Sequence, residues 1–500
     1  MRTVKTTSGA TAVQVVWSSR LGSREIEHLG SAHDEVELEA LKAAAQQRIA
    51  AGQAELDLGL EAAGGGPLPI TSSKMSHLAD SLERAYRVLG FEDAAGGDEV
   101  FRHLVLARII EPSSKLDSLR VLDEAGVAPV SYRTLKRRLP AYADEEWRGR
   151  LSEACAVHAR LGPASLVLYD VSTLYFETDQ GDGFREPGFS KERRLEPQIT
   201  IGLLTDQAGF PLTLSAFEGN KAETKTMLPV IEAFMAAYQL PDVTVVADAG
   251  MISDANMKAI EEAGLSFILG MKVPDVPYAV DAWRREHPGE EIPDGHIFTQ
   301  PWPAGPKDKR RDQVIYYQYR ADRARRTLHG IDEQVAKAAK AVAGLAPVKR
   351  NRFIALDGAV KSINRELEAK ARTLAGIKGY KTNLAATPDG EPVTADFVIS
   401  SYHELWRIEK SFRMSKSDLQ ARPIYHRKRD SIEAHLTIVF AALAVTRWIE
   451  ARTGWSTRKF VKTARRYRTI EIRAGRQIIT AADPIPDDLR QALDAINRPS

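Results

Sequence analysis

Cysteine is almost absent from this chain. Cys155 is the only one in 500 residues, so no intramolecular disulfide and no thiolate zinc cluster can form, which fits a reducing cytoplasm. Set in a helix-like segment, it reads as a small buried hydrophobe rather than a nucleophile. Long apolar runs are missing too. Nothing approaches the roughly eighteen consecutive apolar residues of a membrane span, and the opening Met1-Arg-Thr-Val-Lys-Thr-Thr has no apolar signal-peptide region. An excess of one charge is also lacking. The net charge of +2 argues neither for nor against a polyanionic partner, so local clustering has to decide.

What is present is the composition of a soluble globular protein, 43% hydrophobic and 27% charged. The length exceeds one ordinary core, so roughly two to four domains are expected. Residues 1–73 read as a short strand pair, a helix over 35–51 and a break at Gly64-Gly-Gly-Pro67. Residues 74–160 read as helical. Within them, apolar spacing predicts helices over 99–110, 115–124 and 132–139, the last capped by Ser131 and carrying Arg133, Lys136, Arg137 and Arg138 opposite Leu135 and Leu139. Helix, Gly-bearing turn and basic helix is the outline of a helix-turn-helix DNA reader, which would use Arg133 and Arg137; a plain solvated face has the same outline.

Residues 161–272 alternate strands and helices, with strands expected at 164–170, 197–204, 211–217, 243–248 and 266–270 and a helix at 253–264. Periodicity alone supports an α/β class with a mixed sheet. Residues 273–395, rich in proline and holding the basic run Lys307-Asp-Lys-Arg-Arg311, read as an inserted α+β subdomain rather than a continuation of the sheet. Residues 396–455 return to helix, and 456–500 form a basic C-terminal region.

Three acids occupy positions suited to chemistry. Asp170 ends the apolar run Ala164-Ser-Leu-Val-Leu-Tyr-Asp170, and Asp248 ends Val243-Thr-Val-Val-Ala-Asp248. Alone, each is an ordinary turn aspartate; two such strand ends can stand side by side in one sheet. Glu409 lies in a helical pattern that sets Tyr402, Trp406, Glu409, Arg413 and Lys416 on one stripe, beside an apolar stripe of Leu405, Ile408, Phe412 and Leu419. Three converging carboxylates repel one another unless cations sit between them. Mg²⁺ or Mn²⁺ prefers such oxygen donors, and two ions would suit attack on a phosphodiester. Eight cations over 407–429 face Glu409 and Asp418, and eight over 458–476 face Glu471, with Phe412, Tyr425, Phe460 and Tyr467 interleaved. Such clusters fit a phosphate-tracking surface.

At these residues the sequence resembles the DDE-type transposases of bacterial insertion sequences, in particular the group with a Tyr–Arg–Glu–Lys helix spaced Y-x2-R-x3-E-x6-K. Tyr402, Glu409 and Lys416 match that spacing. The arginine position holds Leu405, and Arg407 lies about 200° around the helix from it. A subgroup with Leu-Trp there, followed by Arg422-Pro-Ile-Tyr-His426, is the closer match, and Glu218-Gly-Asn220 and Asp248-Ala-Gly250 also look like the family. The resemblance covers roughly 163–450. It implies an RNase H-like mixed sheet with flanking helices and an insertion between the second aspartate and the glutamate. Asp170, Asp248 and Glu409 would then be the catalytic, metal-binding triad for two Mg²⁺ or Mn²⁺ ions. It further implies double-stranded DNA with terminal inverted repeats and target DNA as partners, with a homodimer on paired ends. Expected DNA contacts are Arg413 and Lys416 on the backbone, Tyr402 near the cut, and Arg422 and His426 beyond the helix. Trp406 would stack on a base or pack on the sheet. Rival readings are a metal-dependent nuclease without strand transfer, a catalytically silent DNA-binding descendant, and a small-molecule phosphatase, which would leave the basic clusters unexplained.

Overall fold

The computed structural model describes residues 1–5, 10–18, 24–52, 68–162, 165–178, 180–188, 196–222, 225–240, 243–248, 254–306, 310–347, 351–357, 360–421, 424, 426, 428–474 and 477–499. The chain divides into two compact units, Met1–Ser73 with Thr469–Ala482, and Lys74–Arg468 with Asp483–Ser500. Elements are numbered along the chain. The first unit holds the antiparallel sheet β1 (Arg2–Lys5), β2 (Thr11–Ser18) and β3 (Arg24–Ala32), with α1 (Glu35–Gly52) packed on it through Val13, Val15 and Ala45. Its second sheet joins β4 (Ile70–Lys74) to the hairpin β15 (Thr469–Ala474) and β16 (Gln477–Ala482).

The second unit opens with α2 (Ser76–Val88), α3 (Phe91–Ala94), α4 (Glu99–Ile110), α5 (Asp117–Ala125), α6 (Tyr132–Arg138) and α7 (Glu145–Ala159). Strands and helices then alternate: β5 (Leu166–Tyr175), β6 (Gln198–Asp206), β7 (Pro211–Glu218), α8 (Met227–Tyr238), β8 (Thr244–Ala247), α9 (Asp254–Glu262) and β9 (Ser266–Met271). Next come α10 (Tyr278–Glu286), β10 (Ile297–Trp302), β11 (Gln313–Tyr319), α11 (Ala321–Val342), β12 (Ile354–Asp357), β13 (Val360–Ile363), α12 (Arg365–Thr373) and β14 (Ile377–Thr382). The unit finishes with α13 (Ala395–His403), α14 (Leu405–Arg413), α15 (Arg429–Thr453), α16 (Thr457–Ala464) and α17 (Asp487–Asn497).

This is a mixed α/β architecture: a central eight-stranded sheet, ordered β10-β11-β14-β9-β8-β5-β6-β7, with flanking helices. Of its neighbouring pairs, β5–β8 and β8–β9 are parallel and the others antiparallel. β8, Thr-Val-Val-Ala, is buried throughout, as a strand covered on both faces must be. Alternation along β5 divides its side chains between two cores. Leu166, Leu168 and Leu174 face a large core shared with α2, α4, α14 and α15. Val167, Tyr169 and Val171 face a smaller one under α8 and α9. α15 is long and apolar enough to cross a bilayer by composition, yet 89% of its apolar window is buried inside the protein. It is the central helix of the large core.

Two sequence expectations need correcting. The expected stop after Asp170 is wrong: Val171-Ser-Thr-Leu-Tyr175 continues β5 and pairs with β6 out to Gln198, so Asp170 is a mid-strand residue. Residues 273–395 do not stand apart from the sheet. Their strands β10, β11 and β14 extend it, and β14 pairs directly with β9. Their prolines mark the connections, while the alternating Gln313–Tyr319 and Ile377–Thr382 supply ladder partners. Only β12, β13, α11 and α12 form a separate small cluster, around Ile331, Ala338 and Phe353.

Candidate active site

Register places the two aspartates. Leu168 lies opposite Val246 in the parallel β5–β8 pair. Two residues further along that register, Asp170 falls beside Asp248, on strands about 4.8 Å apart. Parity puts Asp170 on the same face as Leu168, and Asp248 on the same face as Val246, so both lie on the large-core side. One strand over, Val246 pairs with Ile268, and the same two-residue step sets Asp248 beside Gly270. Gly270 in turn pairs with Tyr380 of β14.

Gly270 is a notch. A Cβ there would lie 2.6 Å from the ring and the hydroxyl of Tyr402, closer than any side chain tolerates. The bare backbone lets the Tyr402 ring cross β9, and its hydroxyl donates a hydrogen bond to Asp248 Oδ1. Burial, the Asp248 bond and the nearby charges push the Tyr402 phenol far up, so it remains a donor. The Tyr380 ring meets Tyr402 edge-on at 5.1 Å, and the Tyr380 hydroxyl lies 3.3 Å from His403 Nε2. Lys378 Nζ stands 4.2 Å from the centre of the Tyr402 ring. Burial pulls the Lys378 amine downward, while Asp248 and Glu409 pull it the other way.

Glu409 rides on α14, which docks on β5 through Ile408 and Phe412. Ser411 Oγ donates to Gly209 O at 2.9 Å, fastening the helix to the β6–β7 turn. That turn needs glycine twice over: Gly209 has φ +78°, and a Cβ would lie 2.8 Å from Arg407 Cβ. The Glu409 side chain is exposed and, among the described residues, makes no ion pair, so the Glu409–Arg413 pair that a plain surface stripe would have predicted does not form. Its charge reaches both Tyr402 and Lys378.

The expected single stripe is broken. α13 ends at His403, α14 starts at Leu405, and Met414–Asp418 is a π-helical turn. Tyr402 is therefore buried, at 5% exposure, while Trp406 is 53% exposed. Trp406 does not pack on the sheet; the Arg407 guanidinium stacks on its ring at 5.3 Å. Arg413 is exposed and Lys416 half-buried on the π turn. The apolar stripe holds, with Ile408, Phe412 and Leu419 buried.

Elsewhere the expected contacts separate. Ser131 caps α6 at Thr134 N, 3.1 Å away, and Arg133 and Arg137 are exposed on that helix. Arg138 is already committed to Asp98, with Nε at 2.9 Å from Oδ2, and Tyr142 donates to the same carboxylate at 3.0 Å. His426 is half-buried 5.3 Å from the ring of His435. Burial, with Lys115 and Arg108 nearby, drives it down to about 4, so at neutral pH it is not a cation. Arg422 lies outside the described residues. Cys155 is buried and its thiol pushed up, as a structural hydrophobe should be.

The acids have the donor chemistry of a hard divalent cation. Even so, among the described residues no three acidic, imidazole or thiol groups converge closely enough to hold a metal. Asp170 and Asp248 share one level of the sheet, Glu409 sits on the helix beside it, and Tyr402 and Lys378 stand among them. Sequence reasoning missed Lys378, Tyr380 and Gly270. The signal was present in the alternation of Lys378, Tyr380 and Thr382, but a strand was not expected there.

None of the curated proteins matches the sequence. One similar solved structure is the cryo-EM structure of a piggyBac transposase synaptic complex with hairpin DNA, at 11% identity and a TM-score of 0.38, covering 77% of this chain and 70% of that one. The model of the transposase DDE domain matches residues 161–445. That is more than half the chain and includes Asp170, Asp248, Tyr402 and Glu409, so the protein belongs to the transposase DDE domain family, whose general function is DNA recombination and whose members generally use divalent metals.

Proposed function

We propose that the protein is a DNA transposase that cleaves the ends of its element and joins them to target DNA by phosphodiester transfer. Asp170, Asp248 and Glu409 would be its metal-holding acids on an RNase H-like sheet. The observation that carries this reading is the register: it sets Asp170 beside Asp248 on the face where α14 presents Glu409, which makes no ion pair among the described residues. Held by these acids, divalent metal supplies activation of the attacking oxygen and charge relief at the leaving one. Tyr402 fixes one rotamer of Asp248 through its hydroxyl, and Lys378 offsets part of the negative charge. Arg413 and Lys416 follow Glu409 along the chain and are suited to the DNA backbone, and exposed Trp406 to stacking. The expected partners are the element's inverted repeats and target DNA, with a homodimer on paired ends in a reducing cytoplasm.

The rival reading is a DNA-binding relative that does not cut. One assay separates the two. A labelled duplex carrying the element's own end is incubated with Mg²⁺ or EDTA, using wild type, Asp170→Asn and Glu409→Gln. Metal-dependent cutting at the end, lost in both variants while binding persists, supports the transposase. Binding without cutting by the wild type supports the second reading, and cutting that survives both substitutions refutes the site. Joining of precut ends distinguishes strand transfer from a nuclease.

A further inference from the structure

Two of the eight cations clustered over 407–429 are already engaged within the chain. Arg407 is held by Glu404, and Lys410 Nζ lies 2.7 Å from Glu450 Oε2 of α15. The Glu450 side chain is only 9% exposed. The same Oε2 meets Arg447 Nη1 at 3.3 Å, and Oε1 accepts the Thr457 backbone N–H at 3.2 Å. Arg447 extends the chain of bonds, its Nη2 donating to Ala208 O at 2.6 Å in the β6–β7 turn. In the same turn Gly209 O accepts from Ser411 Oγ. α14 is thus tied at two successive residues, to α15 through Lys410 and to the β6–β7 turn through Ser411, and Arg447 joins the two anchors.

Stability alone does not account for a buried charged latch. Apolar side chains of similar volume hold two helices together as well or better, since they carry no comparable desolvation cost. What directional bonds add is a fixed rotation. Ile408 and Phe412 dock α14 on β5, but apolar contact is non-directional and tolerates a turn about the helix axis. Glu409 immediately precedes Lys410, about 100° around the helix. At the outer radius of a helix, about 5–6 Å, a rotation of about 20° carries a carboxylate about 2 Å. Metal–oxygen distances tolerate only about 0.2 Å. The rotation of α14 therefore decides whether Glu409 can act with the aspartates.

We infer that Glu450 and Lys410 are positioning residues, which fix the rotation of α14 and so direct the Glu409 carboxylate to the face that carries Asp170 and Asp248. The inference rests on the transposase reading, in which these acids hold metal. It also removes Lys410 from the phosphate-tracking surface, because its ammonium group is engaged by Glu450.

The test compares full-length wild type, Lys410→Met, Lys410→Arg, Glu450→Gln and Glu409→Gln. Each is followed by calorimetric titration with Mg²⁺, by melting temperature, and by anisotropy of a short labelled duplex of arbitrary sequence. Lys410→Met should weaken Mg²⁺ binding about tenfold, the scale on which loss of a group supporting a metal ligand acts. Its melting temperature should stay near that of wild type, because Arg447 still neutralises Glu450. The slope of log K for the duplex against log salt should not change, whereas loss of a phosphate contact would lower it by about 0.9. Lys410→Arg, which keeps the charge, should restore the Mg²⁺ affinity. Glu450→Gln should show the same loss as Lys410→Met, and the two together no more than either, as for one shared interaction. Should Glu450→Gln not fold, the two Lys410 variants decide alone. When Glu409→Gln loses Mg²⁺ affinity, wild-type affinity in Lys410→Met, or a lowered salt slope, overturns the latch and leaves the transposase reading intact. Mg²⁺ binding unaffected in Glu409→Gln overturns the reading of the acids, and the latch with it.

Discussion

Alanine at Gly270 tests the site through its tightest contact. The backbone there is not in the left-handed region, so glycine is not required by conformation. On backbone grounds alone, Gly270→Ala should stabilise the fold by about 0.4–1 kcal/mol, by restricting the unfolded chain. The contact predicts the opposite sign. The new methyl would lie 2.6, 2.6 and 2.8 Å from three atoms of Tyr402. That ring cannot easily yield, since it is hydrogen-bonded to Asp248 and packed against Tyr380. Overpacking of this kind costs about 1–3 kcal/mol, so the net effect should be a destabilisation of about 1–2 kcal/mol. Cutting should fall with it, because the displaced ring releases Asp248. The decisive measurement is a double-mutant cycle by urea denaturation at constant m-value. Tyr402→Ala alone should cost about 3 kcal/mol as a large-to-small change. In that background Gly270→Ala should cost nothing or stabilise slightly, giving a coupling of about 2 kcal/mol between the two positions. Equal destabilisation in both backgrounds would mean the methyl clashes with something else. Neutral behaviour of the single variant would mean the ring does not lie over Gly270, and the account of Asp248 positioning would be wrong.

Lys378→Met removes a positive charge that bears on both Asp248 and Glu409. It should tighten Mg²⁺ binding several-fold in a calorimetric titration, and unchanged or weaker binding would show that the lysine does not share the acids' field. His426 and His435 both have imidazoles lowered in the folded protein, chiefly by burial. As pH falls from about 6.5 toward 4, the unfolded chain takes up protons first, so stability is present above that window and lost on descending through it. The melting temperature should drop there, and His426→Gln should flatten part of the drop; an identical profile in the variant would refute it. Arg133→Ala/Arg137→Ala should reduce preference for the element's end over random duplex in a competition assay. These point substitutions suit the question better than a truncation, because α4 and α7 bury Leu104, Leu106 and Leu151 in the core shared with the sheet. Unaltered end preference would remove α6 as the reader.

Strand pairing was legible where it was local. The turn Asp206-Gln-Ala-Gly209, the alternation of β5 to β7 and the buried run of β8 all carry their signals within a few residues, and the structure follows them. The end of β5 was misread because an aspartate mid-strand looks like a terminus. Alternation cannot distinguish a charged residue that faces a site from one that ends a ladder. β14 was missed for a different reason. Its pairing with β9 spans more than a hundred residues, and no local pattern reports such a partner. The helix around Glu409 was legible as a helix, and its apolar stripe was correct. The break at Glu404 and the π turn at Met414 were not, since neither has a proline or glycine to mark it. His426 shows the limit of assigning contacts by residue type: its charge state is set by burial beside Lys115 and Arg108, which lie about three hundred residues away in sequence.

The arrangement of charges explains why the acids can stand near one another in the folded chain. Two carboxylates on adjacent strands and a third on the covering helix would repel strongly if nothing lay between them. Here a phenol bonds to one of them and an ammonium group lies 4.2 Å from the centre of that phenol's ring. Both come from segments distant from the aspartates, α13 and β14, and the phenol reaches Asp248 only because Gly270 has no side chain. A hydroxyl donor and a lysine are weaker counter-charges than a divalent ion, so they would make the site tolerable to fold while leaving its carboxylates open to an ion that binds more strongly. On this argument Lys378 and Mg²⁺ compete for the same field. The lysine substitution is therefore predicted to tighten metal binding and, because the acids then repel without relief, to lower the melting temperature in EDTA more than in Mg²⁺.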